Sequence, residues 1–141
     1  MKVYLWLVKK KKLYIQYMSS LAISSMEAFT GLSVTAREIL RKLNQFRELG
    51  YSWDDRGAEP PSSDVINRAA AFLVTADEQG LPIYFTAPGP NGEVLLEYKK
   101  SNLSAEIYFE PLGTPEMILY TGPDQTYAGQ LDMTKLIGHL K

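Results

Sequence analysis

Residues 50–63 read GYSWDDRGAEPPSS, and they gather more chemistry-bearing side chains than any other stretch of the chain. Asp54, Asp55 and Glu59 are three carboxylates in six residues, and they could hold Mg²⁺ or act as acid and base. Tyr51, Trp53 and Arg56 are residue types that dominate protein-binding hot spots. A second set of acids, Glu93, Glu97, Glu106 and Glu110, falls on segments with strand-like alternation. Two uses compete for these groups. Asp54, Asp55 and Glu59, with Glu97 as an optional fourth carboxylate, would serve a metal-dependent hydrolase or nuclease. Alternatively the loop is a capped connector, with Asp54 or Asp55 accepting backbone N–H bonds and Gly57 at positive φ.

Other chemistries find little purchase. The chain has no cysteine, which removes disulfides, thiolate nucleophiles and Cys-based zinc sites and fits a reducing cytoplasm. Its one histidine, His139, lies near the C-terminal end of the last expected helix, where it complements the helix dipole. Neither a G-x-S-x-G elbow nor a phosphate-cradling glycine loop occurs. Gly89-Pro-Asn-Gly92 joins two strands and contains no lysine, so it reads as a hairpin turn. No cofactor or metal is assigned.

The chain has 141 residues, 45% of them hydrophobic, which suits one domain with a core of its own. The formal net charge is −1, but all 16 acidic groups lie beyond residue 20, so the body is acidic. That argues against nucleic acid as the main ligand. Val3–Val8 is apolar and too short to span a bilayer, and Lys9–Lys12 follows it. Residues 1–32 are expected to be a flexible or upstream extension, with Met18 or Met26 as the start; Val3–Val8 would alternatively form an edge strand, and membrane-surface contact through Lys9–Lys12 is the least favoured reading.

Residues 33–141 are expected to form a single α+β domain: two helices, then a four- to five-stranded antiparallel meander and a short C-terminal helix. The first helix is expected over 35–49, started by a Thr35–Glu38 capping box. The second spans 63–78 behind Pro60-Pro61, with Ser62 or Ser63 as its cap. Strands follow at 83–87, 93–100, 103–110, 117–121 and 126–131, and Asp132 caps the last helix. Leu103, Ala105, Ile107 and Phe109 alternate with Ser104, Glu106, Tyr108 and Glu110, so one sheet face is apolar and the other polar. Tyr108 belongs to the polar side. Tyr98 groups with Val94 and Leu96, so it is either a binding aromatic or core.

Trp53–Leu73 and Ala87–Tyr98 together resemble a pattern in small, uncharacterised bacterial proteins. In that pattern a W-[DN]-x-x-G-A-x-P loop opens an Ala-rich helix, and a P-x-P-x-G hairpin follows. The resemblance covers about residues 40–135. It implies a bacterial cytoplasmic protein and carries no catalytic assignment. The combined expectation is a non-enzymatic protein-binding module of antitoxin, immunity or accessory-subunit type. Its partner would be another protein or a second copy, and its binding residues would come from Tyr51, Trp53, Asp54, Asp55, Arg56, Tyr98 and Tyr108.

Overall fold

Ser33 starts the first helix, two residues before the expected cap. Its hydroxyl accepts from the Ala36 N–H at 3.1 Å, and α1 runs Val34–Gln45. The Thr35–Glu38 box does not set this end because a tertiary contact does. Asp77, on the second helix, accepts from both the Ser33 N–H (2.9 Å) and the Ser33 hydroxyl (2.6 Å). A carboxylate at a helix start is also favoured by the dipole. The computed structural model describes residues 31–141, so the readings of Val3–Val8 and Lys9–Lys12 lie outside the described residues. Leu32 is already buried in the core, which places the start of the packed domain at or before it.

Ala36, Ile39, Leu40 and Leu43 form the buried stripe of α1. Its end tightens into a 3₁₀ turn, Phe46–Glu48, so the α-helix stops short of residue 49. Arg47 donates to Asn44 Oδ1 (2.7 Å) and Asn67 Oδ1 (2.6 Å), which fixes that turn against the second helix. The second helix, α2, spans Ser63–Glu78 and is capped by the Ser62 hydroxyl. Ala69, Ala70 and Ala76 are fully buried along it, and such small residues permit close approach to the sheet.

Five antiparallel strands follow in the spatial order of the chain: β1 Ile83–Pro88, β2 Val94–Lys100, β3 Leu103–Phe109, β4 Glu116–Thr121 and β5 Asp124–Gln130. Helix α3, Met133–Leu140, closes the chain, with Asp132 accepting from Lys135 N–H at 3.1 Å. The architecture is α+β, with three helices and one antiparallel sheet among the described residues. All three helices pack on the same side: α1 beside β1, α2 over β2 and β3, and α3 against β3. Under them lie Leu96, Ile107 and Met117, paired in register across three strands and all fully buried. His139 Nε2 lies 2.9 Å from Tyr120 O and 3.2 Å from Ser104 O. Both partners are acceptors, so this nitrogen carries the proton and ties α3 to the sheet.

Tyr98 is core. It is wholly buried between β1 and β3, edge-on to Phe72 at 6.1 Å between ring centroids. Its side chain therefore cannot serve as a surface contact. The period-2 grouping with Val94 and Leu96 decides its direction, and the register Ile83–Tyr98–Ala105 keeps it under the helices.

Both sheet edges are irregular. Register shifts leave Tyr84 out of step on β1 and Thr126 out of step on β5. Bulges on edge strands twist the edge away from flat pairing with another chain. Among the described residues no helix is long and apolar enough to cross a membrane.

Candidate functional site: the end loop and the outer sheet face

The loop at residues 50–63 is held by hydrogen bonds within itself. Ser52, Asp55 and Gly57 take positive φ (59°, 62° and 83°), which lets the chain fold back on itself within a few residues. Ser52 N–H donates to Ala58 O at 2.8 Å, and Gly57 N–H donates to the Ser52 hydroxyl at 3.0 Å. Asp54 Oδ1 accepts from both Arg56 N–H (2.9 Å) and Ala58 N–H (3.0 Å). One carboxylate oxygen thus satisfies two backbone donors, and Ala58 is buried beneath the turn. Asp54→Ala should cost about 1–2 kcal/mol, since it strands two donors, while Asp54→Asn should cost less because an amide oxygen still accepts. Urea denaturation of both variants checks this; equal losses would show that the carboxylate charge, rather than its acceptor oxygen, supports the loop.

The loop then docks on the first hairpin. Trp53 Nε1–H donates to Glu59 O at 3.2 Å, with the ring half-buried. Glu59 N–H donates to Pro90 O at 2.9 Å, and Glu59 and Asn91 form an isolated parallel bridge. Gly92, at φ 81°, closes the junction: a Cβ there would lie 3.4 Å from Pro111 Cγ and 3.5 Å from Pro60 O. The two segments singled out by their motif spacing are therefore one structural unit at one end of the sheet. Tyr51, Asp55 and Arg56 remain exposed on it, Tyr51 at 71%. Among the described residues no three of His, Asp and Glu come close enough to hold a metal ion.

The second feature is the sheet face opposite the helices. Strand register lays out its rows. Phe85, Glu97, Glu106, Ile118 and Ala128 stand side by side across the five strands, and Ala87, Leu95, Tyr108, Glu116 and Gln130 form the next row. Tyr120 stands beyond them opposite Ser104. Glu106 is the centre. The Tyr108 hydroxyl donates to Glu106 Oε2 at 2.8 Å, and the Tyr120 hydroxyl approaches the same oxygen at 3.5 Å. Burial, and then the bond to Glu106, push the Tyr108 phenol well above its ordinary range. Burial, and then Glu106, also raise the Tyr120 phenol. Both phenols stay protonated and orient one carboxylate. Glu97 lies directly across from Glu106, a like-charge pairing that sheets ordinarily avoid. Among the described residues Lys99 is the basic residue on this side, and its ammonium sits over the Tyr84 ring at 5.2 Å.

Glu110, just past β3, has its carboxyl held above the usual range by burial, then by Glu93 and Glu116. At low pH it is neutral in both folded and unfolded chains. As pH rises through the carboxylate range the folded state must take on a disfavoured charge, so the stability linked to its protonation is lost. Glu110→Gln should therefore raise the melting temperature at neutral pH and make no difference below about pH 4. A gain of the same size at both pH values would contradict this.

Of the sequence-selected residues, the structure keeps Tyr51, Trp53, Asp54, Asp55 and Arg56 together on the loop. It places Tyr108 on the outer face and Tyr98 in the core. The hydrogen bonds do not link the loop to Tyr108: the loop bonds to Pro90, whereas Tyr108 bonds to Glu106. Tyr120, Ile118, Leu95 and Phe85 were missed. Tyr120 and Ile118 had a signal, since they fall out of phase with Met117 and Leu119, and period 2 puts them on the opposite side.

What fold and surface define is a class: a small α+β domain with helices on one sheet face and an aromatic, acidic second face opposite them. No protein-family model matches the chain, and neither the curated proteins nor the solved structures give a match.

Proposed function

We propose that this chain is a non-enzymatic protein-binding module of antitoxin, immunity or accessory-subunit type that docks its partner on the outer sheet face. One observation carries the reading. Phe85, Leu95, Tyr108, Ile118 and Tyr120 stand on the sheet face opposite the described helices, Phe85 exposed and the other four half-buried. Aromatic residues with a polar tip bring large contact area at low entropic cost, so they anchor interfaces. The groups best suited to acid–base work are engaged elsewhere: Asp54 caps its loop and His139 Nε2 bonds two backbone carbonyls. The irregular edges speak for docking on the face rather than for strand addition beside it.

The test is quantitative capture from the native host, comparing the wild-type chain, Tyr108→Ala/Tyr120→Ala and Tyr51→Ala, all with checked melting curves. The face variant should lose a protein that the other two retain. Equal capture by all three, or loss confined to Tyr51→Ala, would move the site away from the face.

A further inference from the structure

We infer that the partner presents arginine side chains to this face, with guanidinium groups seated between Glu97 and Glu106 beside the Tyr108 and Tyr120 rings. The inference rests on the docking reading above and names the chemistry of its partner.

Charge complementarity is the first argument. Among the described residues the outer side carries Glu97, Glu106 and Glu116, with Glu110 just past β3 near Glu116, against one lysine, and that lysine is already drawn over Tyr84. Glu97 and Glu106 face each other across β2 and β3 with no described cation between them. A cation brought by a partner converts that repulsion into two attractive contacts. Phosphate-bearing or otherwise anionic partners are opposed by the same field.

Geometry selects arginine over lysine. Glu106 is not a free-swinging carboxylate, because Oε2 is held by Tyr108 and approached by Tyr120. A fixed carboxylate edge suits the planar fork of a guanidinium, which can bond two oxygens at once. Aromatic rings alongside favour arginine further, because the guanidinium stacks on them while its N–H groups stay in plane for the carboxylates. A lysine ammonium would meet the charge but use neither the fork nor the stacking.

Synthetic peptides alternating glycine with arginine, lysine or glutamate provide the probe, read by fluorescence anisotropy at low and at physiological salt. The arginine peptide should bind about threefold more tightly than the lysine peptide, and the glutamate peptide should not bind. Glu97→Gln/Glu106→Gln, which keeps side-chain size, should weaken the arginine peptide by about fivefold or more. Glu48→Gln/Asp124→Asn removes the same charge elsewhere and should leave it unchanged. Equal weakening by both double variants would reduce the effect to net charge and overturn the inference, as would equal affinity for arginine and lysine. Should the glutamine pair misfold, Tyr108→Phe/Tyr120→Phe serves instead: it frees Glu106 but keeps both rings, and unchanged arginine preference in that variant would remove the pre-orientation argument. If capture of the host protein is lost in Tyr108→Ala/Tyr120→Ala yet survives Glu97→Gln/Glu106→Gln, the docking face stands and the arginine assignment falls.

Discussion

Tyr98→Ala should cost the fold about 3–5 kcal/mol, whereas Tyr98→Phe should leave it at least as stable as the wild type. The ring is fully buried against Phe72, and Phe72 also meets Phe109 at 5.7 Å, so alanine opens a cavity in the middle of an aromatic cluster. The hydroxyl is a separate matter. It is buried without a hydrogen-bond partner among the described residues. Burial first, and then the charge of Asp77, hold its proton in place well above the ordinary tyrosine range. An unmatched buried hydroxyl costs about 1–3 kcal/mol, and phenylalanine removes it without changing the ring. Urea denaturation of both variants separates the two contributions. A Phe variant less stable by more than about 1 kcal/mol would show that the hydroxyl has a bonding partner after all.

The second large effect is expected at Trp53. A fully buried tryptophan would cost about 3–5 kcal/mol on truncation. Trp53 is half-buried, with one hydrogen bond from Nε1 to Glu59 O, so Trp53→Ala should cost about 2 kcal/mol. Trp53→Phe keeps most of the ring and loses the bond, and about 1 kcal/mol should separate it from the wild type. The ring is then neither a core anchor nor a free hot spot. It latches the loop to the strand of backbone that docks on Pro90. Denaturation midpoints test this, and a negligible loss for Trp53→Ala would return the residue to the surface.

The elements were legible where a local pattern settles them. Leu103 to Phe109 alternates cleanly, and β3 follows it with the expected side inward. Ser62 and Asp132 cap their helices because each sits directly before an apolar period with its oxygen in reach of the third residue on. The start of α1 was misplaced because its cap is chosen from a distance: Asp77, 44 residues away, engages Ser33. No window of sequence around Thr35 contains that information.

The site was legible only in part, for the same reason. In the 50–63 loop the capped connector was legible, since Asp54 accepts backbone N–H bonds and Gly57 takes positive φ as their types suggest, but the docking of the loop on the first hairpin was not. Tyr108 was visible from its phase in β3. Its role depends on Glu106 beside it, Tyr120 on another strand, and Glu97 across the ladder, and only the register brings those together.

Because the chain has no cysteine, a single thiol can report on each surface separately. Ile118→Cys places one on the outer face beside Glu106 and Tyr51→Cys places one on the end loop. The rate of thiol modification, with and without a partner-enriched fraction of the host, tests the central claim most directly. The docking account predicts that Ile118→Cys is shielded while Tyr51→Cys reacts as before. Shielding of Tyr51→Cys with Ile118→Cys still open would contradict it and make the loop, rather than the sheet, the place where this protein meets its partner.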